Sequence, residues 1–140
     1  MKTWLPERLA LRALLLILSL VVGFHLLILL GIIPYSIVWG GRLQSPEQMY
    51  RFETVSIALN LLMLAVVAAR AGWLPLRLNP KILATALAVM CGLFAANTVG
   101  NLFSTNGFER AFFTPLTLVL AVLSYRAALG PAPNAARQPE

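Results

Sequence analysis

The sequence predicts an all-α integral membrane four-helix bundle whose N-terminus and C-terminus are both cytoplasmic. Its 140 residues are 59% hydrophobic and only 11% charged, whereas a soluble domain usually carries about 25% charged residues. Four stretches reach the length of about 20 mostly apolar residues that a helix needs to cross a bilayer. The basic residues are also distributed unequally over the segments that connect these stretches.

The four predicted spans belong to one transmembrane domain, residues 1–130. The first span is too long for the apolar region of a signal peptide, about 7–15 residues, so we expect it to be retained. Pro34 should kink this span. Residues 131–140 are polar and contain three prolines, which predicts a disordered cytoplasmic tail. The spans cover about residues 13–38, 52–71, 82–103 and 111–129.

Two short motifs predict where the second and third helices begin. Ser45 precedes Pro46, and Asn79 precedes Pro80. A serine or asparagine can cap the first free backbone N–H groups of a helix, and proline suits the first helical position.

The positive-inside rule gives the orientation. Eight of the eleven Lys and Arg residues lie on the side of the termini, and three lie on the other side. This bias predicts a multi-pass protein of the cell inner (plasma) membrane, with the lipid bilayer as its surroundings. The eight are Lys2, Arg8, Arg12, Arg70, Arg77, Lys81, Arg126 and Arg137, and the three are Arg42, Arg51 and Arg110.

The inventory of reactive side chains limits the chemistry. The chain has one His, one Cys and five acidic residues, all of them Glu. Zinc sites need three or four ligands and disulfides need two cysteines, so we expect neither a metal nor a cofactor. We also expect no catalytic residues, and Cys91 should be a buried, inert thiol. The basic residues form no run of the kind that binds nucleic acid.

Small residues predict how the last two helices pack. Lipid provides no hydrophobic drive between helices, so small side chains that permit close approach matter. We expect the third and fourth helices to form a tight antiparallel pair. The third carries a ladder of small residues four apart, and the fourth carries a seam of small and hydroxyl residues. The ladder is Ala84, Ala88, Gly92, Ala96 and Gly100, and the seam is Thr114, Thr117, Ala121, Ser124 and Ala128.

Polar side chains within the spans fall mostly in the outer half of the membrane. Glu53, Ser56 and Asn60 share one helical face. From a rise of about 1.5 Å per residue, Glu53 should lie at the outer boundary and His25 near the midplane. The pattern predicts a polar cluster that faces outward. Its candidate ligand-binding residues are Glu53, Ser56, Asn60, Asn97, Asn101, Thr114, Thr117 and His25.

This cluster has two interpretations. Its amides and hydroxyls can form hydrogen bonds between helices, each of which contributes roughly 0.6 kcal/mol. Alternatively they form a binding site with Glu53 as its charge. Glu53 could instead pair with Arg42, Arg51 or Arg110 at the surface. His25 is either a satisfied core histidine or a proton relay or ligand.

Three motifs carry a resemblance over most of the chain, from about Gly31 to Arg126. They are residues 39–43 (WGGRL), Glu53 with Ser56 and Asn60, and residues 97–101 (NTVGN). With these residues the chain resembles a group of small four-span bacterial integral membrane proteins of unknown function. The resemblance implies four spans and no particular activity.

Three functions are compatible with these patterns. The first is binding or transport of a small molecule, ion or lipid, for which a conduit would require a homodimer. The second is an accessory or scaffold subunit of a larger membrane complex, with no ligand of its own. The third is an intramembrane enzyme that uses Glu53 and His25 as acid and base. The depth estimate disfavours the third, because it separates those two side chains by many ångströms.

Overall fold

The computed structural model of the chain describes residues 5–130, and its architecture is four long helices. No strand occurs within this range, and each helix is long and apolar enough to cross a membrane when the fourth is counted from Glu109. The predicted all-α class with four such helices is therefore confirmed. The predicted tail, 131–140, lies outside the described residues. The helices are α1 (Glu7–Leu29), α2 (Pro46–Arg70), α3 (Pro80–Leu102) and α4 (Thr114–Ala128), and α4 continues from a π-helical turn, Glu109–Phe113.

The starts of α2 and α3 coincide with the two predicted capping motifs. The Ser45 hydroxyl accepts a hydrogen bond from the backbone N–H of Gln48 at 3.2 Å. The Asn79 side-chain oxygen accepts one from the N–H of Lys81 at 2.9 Å. Both helices then begin with proline, which has no N–H to leave unpaired. Local sequence alone fixes these two boundaries.

The first helix ends nine residues earlier than the predicted span, at Leu29 rather than Val38. Gly31 has φ +74°, and its N–H donates to the Ile28 carbonyl while the N–H of Ile32 donates to the Leu27 carbonyl. This is a Schellman motif, in which a left-handed glycine satisfies the last carbonyls of a helix. Pro34 consequently lies beyond the helix instead of kinking it.

The helices pack as two hairpins, α1 with α2 and α3 with α4, and α1 also contacts α4. We call one end of the bundle the Trp39 end, which holds the connections 30–45 and 103–108. The other is the Arg70 end, where Arg70 pairs with Glu7 at 2.9 Å. The main core is formed by large aliphatic and aromatic side chains of all four helices, including Leu14, Leu18, Val67, Leu87, Phe94 and Leu120.

The contact between α3 and α4 is the most extensive in the bundle, but the ladder on α3 does not contribute to it. Four of its members are exposed, and Ala84 is only half-buried. A Cβ added at Gly92 or Gly100 would meet no atom within 4 Å. The assignment of the ladder to helix packing is therefore wrong for this interface. Larger side chains make more dispersion contacts, and α3 buries Leu83, Leu87, Met90, Phe94 and Thr98 instead.

The seam on α4 does lie in the core. Thr117, Ala121 and Ser124 are buried, and Thr114 and Ala128 are half-buried. Ala121 of the seam thus belongs to the same core cluster as Leu87, Met90 and Phe94 of α3. Cys91, expected to be buried, is a half-buried free thiol.

A pair of matched substitutions tests this assignment of faces. We expect Gly92→Leu to leave the free energy of unfolding unchanged or to raise it by up to about 1 kcal/mol, because leucine favours helix and meets open space. Ala121→Leu should lower it by about 1–3 kcal/mol, because it overpacks the core. Unfolding in detergent by added SDS, followed by circular dichroism, measures both. A larger loss for Gly92→Leu would return the ladder to the interface.

Candidate functional site

Glu53, on α2, is the most enclosed ionisable group at the Trp39 end, with 0% of its surface exposed. Its Oε1 accepts a hydrogen bond from the Trp39 indole Nε1–H at 3.0 Å, and its Oε2 lies 2.6 Å from His25 Nδ1. Both carboxylate oxygens are therefore engaged. None of the arginines considered as its partner is within ion-pair distance, and Arg51 pairs with Glu47 instead, at 2.7 Å.

The contact between His25 and Glu53 contradicts the depth estimate, which placed them many ångströms apart. A histidine at position 25 is central in a span of 13–38, but it lies about one turn from the end of a helix that stops at Leu29. Glu53 lies two turns into α2 from the same end of the bundle. The early end of α1 therefore brings the two side chains together. The argument from separation against acid–base pairing is wrong.

A second buried carboxylate, Glu109, was not predicted as a site residue. It lies on the π-helical turn before α4 and is 7% exposed. Its Oε2 accepts hydrogen bonds from the backbone N–H of Gly40 at 2.7 Å and from the Ser104 hydroxyl. Its own N–H donates to the Asn106 side-chain oxygen at 3.1 Å. An asparagine cap followed three residues later by glutamate is a helix-start pattern that could have drawn attention to Glu109.

The loop that both glutamates bind has an unusual backbone. Trp39, Gly40 and Gly41 have φ values of +56°, +66° and +70°. Glycine adopts such values freely, whereas a residue with a side chain, such as Trp39, has a free energy roughly 1–2 kcal/mol higher in this left-handed conformation. Strain of this kind persists where the surroundings over-determine the conformation. We call Glu53, Glu109 and the Trp39–Gly41 loop the glutamate clamp.

A cavity of about 310 Å³ adjoins the clamp and is lined by residues of all four helices. Ligand pockets of proteins typically have volumes of roughly 300–1,000 Å³. Leu59 of α2 and Asn97 of α3 line the cavity and are also exposed, so it opens sideways between these two helices. The other lining residues include the polar His25, Trp39, Ser56, Asn60, Asn101, Glu109 and Thr117 and the apolar Phe24, Met63, Leu93, Phe94, Phe113 and Leu120.

Most of the predicted site residues meet at this cavity, but two do not line it. Glu53 lies behind its wall, bonded to His25 and Trp39, both of which line it. The Thr114 hydroxyl is buried and has no hydrogen-bond partner among residues 5–130. Those that line the cavity are His25, Ser56, Asn60, Asn97, Asn101 and Thr117.

The amides of the cluster contribute little to holding the helices together. Asn60 Nδ2 donates to the Ser56 carbonyl of its own helix at 2.8 Å. The Asn97 side chain makes no hydrogen bond within the described range, and Asn101 Nδ2 reaches the Thr117 hydroxyl only at 3.4 Å. The shorter bond between α3 and α4 joins Thr98 to Thr117 at 2.9 Å, and Thr98 was not predicted. Asn60 and Asn97 thus leave donors or acceptors free for a ligand.

Fold and site together define an all-α chain with four helices able to cross a membrane and a partly polar cavity near one end. No protein-family model, curated protein or solved structure matches the chain. The resemblance to small four-span bacterial membrane proteins remains a prediction from the quoted motifs. Across residues 5–130, no group of three or more His, Cys, Asp or Glu side chains could hold a metal ion.

Proposed function

We propose that the chain is a multi-pass protein of a bacterial inner membrane, with its Trp39 end facing away from the cytoplasm. The distribution of charge supports this orientation, because cytoplasmic loops carry an excess of Lys and Arg. The Trp39 end has three basic residues, Arg42, Arg51 and Arg110. The described part of the Arg70 end has six, which are Arg8, Arg12, Arg70, Arg77, Lys81 and Arg126.

Cysteine labelling in intact cells tests the orientation. In a Cys91→Ala background, Gln44→Cys places a thiol in an exposed loop of the Trp39 end, and Arg77→Cys places one in the exposed connection at the Arg70 end. We expect a membrane-impermeant maleimide to label the first in intact cells and the second only after permeabilisation. The reverse pattern would invert the topology.

We propose further that the protein binds a small molecule in the cavity between its helices. The observation that carries this proposal is the set of amides that line the cavity without bridging helices, above all Asn60 and Asn97. Polar groups within a membrane are costly and usually functional. An opening between α2 and α3 would let a ligand enter from the bilayer, which fits a binding or transport role.

The second candidate function is that of an accessory or scaffold subunit, and the exposed ladder on α3 favours it. Small residues in a row allow a partner helix to approach closely within lipid. Ala88, Gly92, Ala96 and Gly100 are all exposed on α3. A second copy of the chain or a larger membrane complex could cover this face.

Native mass spectrometry after gentle extraction from the host membrane separates the two functions. We expect the wild-type protein to carry a discrete small mass. Asn60→Phe should abolish this mass by filling the cavity, whereas Leu62→Phe, on an exposed position of the same helix, should retain it. A stoichiometric protein partner with no small mass would favour the scaffold function and contradict the binding proposal.

A further inference from the structure

We propose that the ligand of this cavity is an organic cation, a protonated amine attached to an apolar body. The inference deepens the proposed binding function and rests on it. It starts from the ionisable groups that line the cavity, which are Glu109 and His25, with no lysine or arginine among the lining residues.

The charge around the cavity is negative on balance. Glu53 and Glu109 are both buried carboxylates, and His25 is the one lining side chain that can carry a positive charge. His25 Nδ1 is already engaged by Glu53. With both carboxylates ionised, the two negative charges leave a net negative charge even when His25 is protonated. An anionic ligand would be repelled here, and an ammonium group would be attracted.

Glu109 also has one carboxylate oxygen that is free to accept a hydrogen bond. Both of its hydrogen bonds, from Gly40 and from Ser104, go to Oε2. Oε1 has no donor among residues 5–130, although the side chain lines the cavity and is more than nine-tenths buried. This oxygen is not among the fully enclosed atoms without a partner in the described range, so it keeps accessible surface and is free to accept a hydrogen bond. An ammonium in the cavity would supply both the missing donor and the opposite charge.

The rest of the lining suits an apolar body. Phe24 of α1, Phe94 of α3 and Phe113 of the π-helical turn before α4 meet the cavity with several aliphatic side chains. Aromatic faces also attract cations, and they do so more strongly where water is excluded. A molecule with an amine at Glu109 and an apolar group among the phenylalanines would match both parts of the lining.

Three probes with one carbon skeleton test the inference, namely 4-phenylbutylamine, 4-phenylbutan-1-ol and 4-phenylbutanoate at pH 7. These are a cation, a neutral molecule and an anion, respectively. Binding of each to the full-length protein in nanodiscs of zwitterionic lipid is measured by titration calorimetry, with empty nanodiscs subtracted. The zwitterionic lipid prevents the bilayer surface itself from selecting by charge.

We expect the amine to bind about tenfold or more tightly than the alcohol, the range that a hydrogen bond to a charged group supplies, and the carboxylate to bind most weakly. Glu109→Gln should reduce the affinity for the amine to that for the alcohol and leave the alcohol unchanged. Glu47→Gln, at an exposed carboxylate of the same end, should change none of the three affinities.

The outcomes separate the inference from the proposed function. Equal binding of the three probes, or tightest binding of the carboxylate, contradicts the inference that the ligand is a cation. The proposed binding of a small molecule is unaffected by either result. If no probe binds, the inference that the ligand is a cation is contradicted. If native mass spectrometry then also shows no bound small mass, the proposed binding function is contradicted as well. If Glu109→Gln fails to fold, the order of the three affinities for the wild-type protein decides the question alone.

Discussion

Replacing Glu53 by leucine is expected to lower the free energy of unfolding by about 3–5 kcal/mol, because it removes two hydrogen bonds to a buried carboxylate, each contributing about 1.5–3 kcal/mol. The carboxylate accepts hydrogen bonds on both oxygens, from Trp39 and from the imidazole of His25. Leucine leaves the Trp39 indole N–H and the half-buried His25 imidazole without this acceptor. The substitution also removes the carboxylate that bonds the Trp39 indole and so helps to hold the left-handed backbone conformation of Trp39.

A graded series makes this expectation specific. Glu53→Gln keeps an acceptor for the Trp39 indole, so it should lose less stability than Glu53→Leu. Glu47→Leu, at a side chain that is 76% exposed, should change the free energy of unfolding by no more than about 0.5 kcal/mol. SDS-induced unfolding in detergent micelles measures all three. Equal losses at positions 53 and 47 would show that the buried contacts do not support the fold.

The sequence predicted those parts of the fold that depend on composition and on neighbouring residues. Four apolar stretches gave the four helices, and Ser45-Pro46 and Asn79-Pro80 gave the starts of α2 and α3. The end of α1 was missed because the apolar run continues for several residues beyond Gly31. Hydropathy does not register that a glycine can adopt a left-handed conformation and close a helix within such a run.

Only part of the site was predicted, because the sequence shows residue types and neighbours but not tertiary contacts. Polar residues are conspicuous in apolar helices, so Asn60, Asn97 and Asn101 could be found, and they do meet at one cavity. Glu109 could not be found in this way, because a carboxylate in a polar connection resembles a solvated charge. Its main partner, the N–H of Gly40, is 69 residues away in sequence. Only tertiary structure brings two such groups together.

The two glutamates therefore differ in what they can do. Glu53, which the sequence suggested as the charge of the binding site, has both oxygens occupied and does not line the cavity. Glu109 lines it and has one free oxygen. This difference indicates that Glu53 mainly positions Trp39 and His25 around the cavity, while Glu109 is the acidic group that a ligand would contact.

Glu109→Leu is expected to lower the free energy of unfolding by about 2–4 kcal/mol, because it removes two hydrogen bonds to a charged acceptor. The N–H of Gly40 and the hydroxyl of Ser104 both lose their acceptor. The Trp39–Gly41 loop would then keep its contact with Glu53 and the hydrogen bond from the Thr105 hydroxyl to the Gly40 carbonyl. We expect the loop to loosen first on the side that faces the connection before α4.

Hydrogen exchange at the Gly40 amide, together with SDS-induced unfolding, measures this effect. Glu109→Leu should speed exchange at Gly40. Exchange at Gly40 should be slower in Glu109→Gln than in Glu109→Leu, because an amide oxygen can still accept both hydrogen bonds. Arg110→Leu, at the exposed neighbouring position, serves as the control and should leave exchange at Gly40 unchanged. Unchanged exchange in Glu109→Leu would mean that the loop holds its conformation without Glu109, and the free Oε1 would then be the main reason for a carboxylate at this position.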